Sequence, residues 1–504
     1  MKRWLLACAA LALTCGQAAG DLVEYTVPAT TITVVLEGKT SVVPVVGGTP
    51  LIRFRSPATG ELIIEMSEVG DKIECPTTAE QFSRMFNKAK KDPVELMKAG
   101  EWALRRGLLP QFRECVKIAH ELDPKNEEAK RLANLIEKID NIDLGESSEQ
   151  ENILRTKIGA LKNMEIRKSK HFILYHNTNK PGKDGKKPTS RKADRAARRL
   201  ELLENVYESF LFKFYSKGVN LEIPKERLMV VLFDEEKQFR NYAEMLSPSL
   251  SMAAGFWSHG DNIAVFYDHG GTEEFKVLQR LNRQLQEQKA EAIRLARSGR
   301  GGNNADIVRR ADALSALFKM WQENEDITVV SHECAHQMAG NTGLLPRYVM
   351  VPSWVHEGLA TYFECPKDAT WSGIGAVNEA RLEWYKGLVE NQKEYSSLEW
   401  IVTDQIFDLG ATHASKLHAY GQAWALTHFM LEQHPGEMLS FYDKLGKMPP
   451  DIVFSPDTLS KTFDEVIKID RDKLTREWRD YMDELKTDVE VLKEDYGAQE
   501  EDEE

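Results

Sequence analysis

The hydrophobic pattern of this chain changes its period along the sequence, and this change constrains the fold more than any other feature. Residues 22–74 alternate apolar with polar positions, are rich in Val, Thr and Ile, and are divided by glycine-containing turns. Such alternation predicts a small antiparallel β domain. From about 78 to 140 the apolar positions recur at helical spacing, and after 165 strand-like and helical runs follow one another. The sequence therefore predicts an α+β protein of several domains, because 504 residues are too many for one core.

The boundaries of the predicted segments follow from these changes of period and from the polar stretches between them. We predict a signal peptide at 1–20, a small β domain at 21–77, a helical pair at 78–140, a linker at 141–164, a larger domain with a mixed sheet at 165–490 that contains a helical insertion at 272–324, and an acidic disordered tail at 491–504.

The helical pair consists of two amphipathic stretches, at 93–107 and 109–123, around a short turn. It resembles one tetratricopeptide-type repeat, with Gly100, Ala119 and Pro124 at repeat positions. The resemblance implies a docking surface for a protein partner. The alternative is a helical spacer that packs on the next domain, because solenoids generally need three or more repeats.

The first twenty residues have the pattern of a secretion signal. Two basic residues precede a short apolar run at 4–13, and small residues at 18–20 suit cleavage before Asp21. The apolar run is too short for a stable membrane anchor, so we expect an exported protein, periplasmic or extracellular. A net charge of −13 disfavours a nucleic-acid partner.

The segment at 326–340 carries the residues that can bind a metal and take part in catalysis. His332 and His336 are four positions apart on a predicted helix, so both imidazoles project from one face and can bind one cation. Glu333 lies beside that face, where it can reach a water instead of the metal. A catalytic zinc site also needs a third protein ligand and an open position. Glu357, in the predicted helix at 353–364, can supply that ligand, and Gly358 would let the two helices approach closely.

These two segments resemble the zinc-binding segments of the gluzincin, or peptidase MA-like, metallopeptidases. The matching residues are His332-Glu-Cys-Ala-His336 and Trp-Val-His-Glu357-Gly-Leu-Ala-Thr-Tyr. More closely, the chain is similar to an uncharacterised exported bacterial family of that clan, over roughly residues 165–485. The resemblance implies a zincin-like fold at 165–490, Zn²⁺ bound by His332, His336 and Glu357, and Glu333 as the catalytic base. Many gluzincins have an acidic residue four positions after the third ligand; here Thr361 stands there, so another carboxylate or carbonyl must orient a ligand histidine.

Other residues in this region have two interpretations each. Tyr420 matches a position from which related enzymes stabilise the oxyanion, but a core tyrosine fits equally, and His413 and His418 are alternative donors. The predicted hairpin at 255–257 is either the edge strand along which such folds align a peptide or a plain core hairpin. His356 points about 100° around the helix from Glu357. It either supports a metal ligand from behind or has no part in the site.

Four cysteines remain after the signal, and an exported protein can pair them. Cys334 and Cys365 lie in the two segments expected to pack at the metal site, so theirs is the first pair to test. Cys75 and Cys115 complete the even number. The alternative is that all four are small buried apolar residues.

The function expected from these patterns is hydrolysis of peptide bonds in a protein or peptide substrate, through a metal-activated water with Glu333 as general base. A second hypothesis is an exported binding protein with a structural or degenerate zinc site. A third is zinc-dependent hydrolysis of a non-peptide amide. The sequence leaves the three open.

Overall fold

The computed structural model describes residues 20–45, 49–159, 164–178, 194–298, 304–367, 370–409 and 412–497. It confirms the α+β class, with an N-terminal β domain followed by mainly helical structure. The predicted signal peptide, apart from Gly20, and the end of the predicted acidic tail after residue 497 lie outside these residues. In the part of the chain that is described, no helix is both long and apolar enough to cross a membrane.

The N-terminal domain is an antiparallel sheet of five strands in the order β4-β3-β2-β1-β5. Its strands are β1 (Gly20–Thr26), β2 (Thr33–Val43), β3 (Leu51–Ser56), β4 (Gly60–Glu65) and β5 (Val69–Cys75). The alternation in the sequence places Val23, Tyr25, Phe54 and Ile64 on one buried face. That face needs an apolar partner, which a long helix from the larger domain provides.

Four helices follow the sheet where the sequence indicated one pair, and a fifth occupies the predicted linker. They are α1 (Thr78–Ala89), α2 (Pro93–Leu104), α3 (Leu109–Leu122), α4 (Glu127–Asn141) and α5 (Ser148–Ile158). The prediction of a plain linker at 141–164 is therefore wrong for α5. The segment is polar overall, but Leu154 and Ile158 are four positions apart and bury one face of the helix against the second sheet.

The second sheet is mixed and has the order β6-β7-β8-β10-β9. Its strands are β6 (Glu165–Lys168), β7 (Phe172–His176), β8 (Leu228–Phe233), β9 (Gly255–Ser258) and β10 (Ile263–Tyr267), with α6 (Arg195–Ser216) and α7 (Glu236–Leu246) in the connections. Every residue of β7, β8 and β10 is buried, which is expected for central parallel strands. The short strand β9 pairs only with β10, antiparallel, and is an edge of the sheet.

The remaining described elements are helices apart from a two-stranded ribbon. The elements are α8 (Glu273–Arg297), α9 (Ala305–Asn341), α10 (Ser353–Tyr362), β11 (Pro366–Lys367), β12 (Thr370–Trp371), α11 (Glu379–Asn391), α12 (Leu398–Val402), α13 (His413–Gln433), α14 (Pro435–Gly446), α15 (Pro456–Ile467), α16 (Arg471–Glu484) and α17 (Asp488–Tyr496). Helix α17 enters the segment predicted as a disordered tail, because Leu492 packs against β1 and β5.

The predicted insertion at 272–324 is not a separate helical hairpin, because its second helix continues without a break into the motif helix. The sequence predicts that this insertion ends at residue 324 and that the motif helix begins after it. In the structure Glu323 and Asp326 remain inside α9, where both carboxylates bind the buried guanidinium of Arg199 on α6. The N-terminal half of α9 covers the first sheet, with Ala313 and Ala316 in its core.

One core joins the helices α1–α4 to the domain that carries the motif. It contains Leu96 and Phe112 from the first and Trp354 and Trp424 from the second. The rings of Phe112 and Phe212 are 4.8 Å apart. The helices therefore pack on the neighbouring domain, as the spacer interpretation requires, and their use as a docking surface stays a prediction.

Candidate metal centre

The motif residues lie in the C-terminal half of α9, which is tied to the second sheet by one side chain. The amide of Gln337 donates to the carbonyl oxygen of Met229, in β8, at 3.0 Å and to that of Asn262, just before β10, at 3.2 Å. Gln337 is fully buried. These bonds fix the rotation of α9 about its axis, and with it the directions in which His332 and His336 project.

The three predicted ligands converge on one point. His332 Nε2 lies 3.0 Å from His336 Nε2 and 3.0 Å from Glu357 Oε2, and His336 Nε2 lies 3.6 Å from the same oxygen. Tetrahedral zinc with bonds of about 2.0–2.1 Å separates its ligand atoms by about 3.3 Å. Glu357 Oε2 is buried without a hydrogen-bond partner in the described structure. Among the described residues, these two imidazoles and one carboxylate have the donor chemistry and the separations that a three-ligand zinc site requires.

Glu357 reaches this point because α10 is capped at its start and packs closely on α13 in its middle. Asp404 accepts hydrogen bonds from the backbone N–H groups of Ser353 and Trp354 at 2.7 and 2.9 Å, which caps the start of the helix. At Gly358 a Cβ would lie 2.2 Å from Thr427 Oγ1 of α13. The prediction that Gly358 lets the motif helix approach α10 closely was therefore wrong. The helix that approaches α10 at this glycine is α13.

The orienting carboxylate that the sequence analysis required is Glu364. His332 Nδ1 lies 2.5 Å from Glu364 Oε1, so Nδ1–H donates to the carboxylate and Nε2 faces the other ligands. The hydroxyl of Thr361 instead donates a hydrogen bond to the backbone carbonyl oxygen of Glu357, at 2.8 Å. Burial alone would raise the pKa of Glu364, but Arg381 and the bond from His332 outweigh it and lower this pKa. A buried, ionised carboxylate thus holds the His332 ring.

Glu333 lies beside the ligands and against the edge strand. At Gly255 in β9, a Cβ would approach Glu333 Cγ to 3.1 Å and Val329 to 2.7 Å, so glycine is what lets the strand run this close to α9. Burial raises the pKa of Glu333 to about 8, against the opposing charge of His332. A bound divalent cation adds positive charge and favours the carboxylate. The carboxylate of Glu333 is thus buried next to the three ligands without being one of them.

Tyr420, on α13, is half-buried next to His332. Its ring centroid is 6.3 Å from that of His332. The carboxylate of Glu357, together with burial, raises the pKa of Tyr420 well above its usual range, so the hydroxyl keeps its proton. The alternative donor His418 points to α11, where its Nδ1 lies 2.9 Å from the carbonyl oxygen of Trp384. The side chain of the other alternative, His413, lies outside the described residues.

His356 contacts a ligand that is not its neighbour in sequence. Its ring stacks on that of His336 at 3.8 Å and 10°, and the Trp257 ring of β9 lies 6.3 Å from it. Burial, with repulsion from His336, lowers the pKa of His356 to about 3, so the ring is neutral. His356 therefore forms part of the wall between the ligands and the edge strand.

The four cysteines of the described chain are buried free thiols, so the disulfide prediction is wrong and the alternative is confirmed. Cys334 faces α6, with Sγ 3.9 Å from the carbonyl oxygen of Leu203, and Cys365 Sγ lies 3.3 Å from that of Ala376. The two segments meet at the metal centre through their other faces, which keeps the sulfur atoms apart.

Sequence reasoning missed Glu364 and its partner Arg381. Glu364 follows Glu357 by seven positions, about two turns in the predicted helix at 353–364, although in the structure it lies just beyond the end of α10. An examination of that position as well as Thr361 would have found it. Arg381 carries no comparable signal, because its place depends on how α11 folds back onto the site.

Replacing Glu364 by alanine is expected to weaken zinc binding by about 10- to 100-fold, because His332 loses the carboxylate that fixes its ring. Competition with a chromophoric chelator measures the dissociation constant. Glu364→Gln, whose amide oxygen can still accept from Nδ1, should fall between the wild type and alanine. Equal zinc affinity in all three proteins would show that His332 is held by other contacts.

Comparison with known proteins adds one match. A family model described as "Protein of unknown function (DUF1570)" matches residues 326–451. This quarter of the chain begins in α9, ends after α14, and contains the three ligands together with Glu364 and Tyr420. No curated protein and no solved structure matches the chain. The class that the site defines is thus a candidate His-His-Glu metal centre within a region similar to an uncharacterised family.

Proposed function

We propose that this chain is a zinc-dependent peptidase of the gluzincin type, which hydrolyses peptide bonds in a protein or peptide substrate. The observation that carries the proposal is the convergence of His332, His336 and Glu357 on one point, with the carboxylate of Glu333 beside it. Among the described residues the donor set comprises three protein ligands, which is the arrangement expected for catalytic rather than structural zinc.

Zinc bound at this centre supplies a Lewis acid that polarises the substrate carbonyl and makes water a better nucleophile. Glu333 takes the proton from the attacking water and returns it to the leaving amine. Its burial in contact with β9 excludes bulk water from this transfer. Tyr420 keeps its proton and donates a hydrogen bond to the developing oxyanion, a contribution of about 3 kcal/mol in typical sites.

The exposed edge of strand β9 favours the proposal of a polypeptide substrate over that of other amides. Its outer edge has no strand partner within the described chain, and an extended peptide can add to such an edge through backbone hydrogen bonds. Because Gly255 brings the strand into contact with Glu333, a peptide bound there would pass the metal centre. The secretion signal expected at 1–20 supports action in the periplasm or outside the cell.

Replacing His336 by alanine is expected to abolish both zinc binding and hydrolysis, because one of three protein ligands is lost. Metal content of the purified protein and cleavage of a fluorescent-labelled casein measure the two effects. His434→Ala, which removes a half-buried histidine paired with Glu477 and not part of the ligand cluster, is the matched control and should retain one zinc and full activity.

The same measurements separate the other two hypotheses. One zinc per wild-type chain without cleavage of any peptide would favour the binding protein. Cleavage of cell-wall amides but not of peptides would favour the non-peptide amidase. Zinc retained in His336→Ala would contradict the assigned ligands.

A further inference from the structure

Arg381, in the first turn of α11, contacts two different parts of the candidate site. Its Nε and Nη2 donate to the two oxygens of Glu364 at 2.9 and 3.0 Å, a forked pair. Its Cζ lies 5.3 Å from the ring centroid of Tyr420, within cation–π range. One guanidinium therefore binds the carboxylate that orients His332 and lies within cation–π range of Tyr420, the tyrosine whose ring is next to His332.

The backbone holds Arg381 in this position from two sides. Asn378 caps α11 by accepting from the N–H of Arg381 at 3.2 Å, and the same side chain donates to the backbone carbonyl of Glu364 at 2.6 Å. On the other side, a Cβ at Gly421 would lie 3.0 Å from the carbonyl oxygen of Arg381. The absence of a side chain there lets α11 contact α13 immediately next to Tyr420.

Because Glu364 and Arg381 are largely buried, the kind of basic residue at position 381 matters. The Glu364 side chain is 2% exposed and that of Arg381 15%, so water cannot replace the guanidinium at the carboxylate. A planar fork binds both carboxylate oxygens and presents its face to an aromatic ring at the same time, which a lysine ammonium does not. The second oxygen of Glu364 would otherwise lack a strong donor while the first binds His332.

We propose that Arg381 is a positioning residue that couples the orientation of the ligand His332, through Glu364, to the placement of the oxyanion donor Tyr420. The role of Tyr420 in this coupling rests on the proposed peptidase function, whereas the connection to His332 rests only on zinc binding. The two connections therefore have separate measurements.

The experiment compares Arg381→Met and Arg381→Lys with Arg479→Met. Arg479 is a matched control, because it also packs on α11, donating to the Tyr385 hydroxyl at 2.6 Å, without contacting Glu364 or Tyr420. Zinc affinity is measured by chelator competition, ligand geometry by the visible spectrum of the Co²⁺-substituted protein, and kcat and KM at saturating zinc.

Arg381→Met is expected to weaken zinc binding by about 10- to 100-fold and to change the Co²⁺ spectrum, because Glu364 no longer holds His332 in one orientation. At saturating zinc, kcat should fall about tenfold with KM nearly unchanged, since Tyr420 acts in the transition state. Arg381→Lys should recover less than half of the zinc affinity, on a logarithmic scale, that Arg381→Met loses. Arg479→Met should resemble the wild type in all three measurements.

Zinc affinity and Co²⁺ spectrum unchanged in Arg381→Met, while Glu364→Ala alters both, would overturn the proposal. Equal loss in Arg479→Met would also overturn it, because general destabilisation of α11 would then explain the effect. If Arg381→Met does not fold, Arg381→Lys decides by the same two measurements, and wild-type affinity in that variant counts against the proposal. Absence of hydrolysis in the wild type would defeat the peptidase function and the kcat prediction, but would leave the zinc measurements decisive for the connection to His332.

Discussion

Glu333→Gln is expected to bind zinc as the wild type does and to hydrolyse peptides about 10²- to 10⁴-fold more slowly. Glutamine has nearly the same shape as glutamate, and Glu333 is not among the three ligands. An amide, however, cannot accept a proton from the attacking water, and general-base catalysis typically contributes a factor of this size. Zinc content and kcat/KM, measured on the same preparation, test both halves of the prediction.

The matched control for this variant is Glu325→Gln. Glu325 lies on the same helix, eight positions earlier, and accepts a hydrogen bond from the Trp321 indole at 3.1 Å. It should retain both zinc and activity. Wild-type hydrolysis in Glu333→Gln would mean that another group is the base, and the proposed mechanism would be wrong.

Glu432→Gln is expected to destabilise the protein by about 3–5 kcal/mol, because it leaves a buried ammonium without its counter-charge. Glu432, on α13, lies 2.9 Å from the Nζ of Lys213, and both side chains are 7% exposed. The carboxylate also binds Arg105, from the end of α2, and accepts from the Tyr362 hydroxyl at the end of α10. This cluster joins the helices α1–α4 to the two helices that carry Glu357 and Tyr420.

The difference in unfolding free energy between the wild type and Glu432→Gln is expected to change with pH in one direction. Burial would raise the pKa of Glu432, but Lys213 and Arg105 outweigh it and hold this pKa far below its usual range. A carboxyl group with a depressed folded-state pKa stabilises the protein fully above its unfolded pKa of about 4.3, and this stabilisation is lost as the pH falls below that value. The gap in unfolding free energy between wild type and Glu432→Gln should therefore be constant near neutral pH and narrow below about pH 4.

Urea unfolding followed by tryptophan fluorescence measures this gap, with Glu494→Gln as the control. Glu494 pairs with Lys486 at 2.7 Å on the surface, where solvent screens the interaction, so its loss should not move the unfolding midpoint. A Glu432→Gln midpoint equal to that of the wild type would show that the cluster contributes no net stability and that apolar packing alone joins the two regions.

Several features of this protein follow from the sequence by itself, because they depend on spacing within one element. The change from a period of two to a helical period gives the α+β class and the order of its parts. The spacing of His332 and His336 places both rings on one helix face whatever surrounds the helix. Glu333, one position further on, then has to lie beside them. Such local geometry needs no knowledge of packing.

Other features were decided by the tertiary structure, because they join residues far apart in the chain. Helix α9 continues through the boundary predicted at residue 324, where Asp326 binds Arg199, 127 positions earlier in the chain. The cysteines remain thiols because the faces that meet at the site are not the faces that carry sulfur. Arg381 reaches Glu364 and Tyr420 only because α11 folds back against α13 at Gly421. Helical spacing specifies the direction of a side chain, whereas packing between distant segments specifies what that side chain meets.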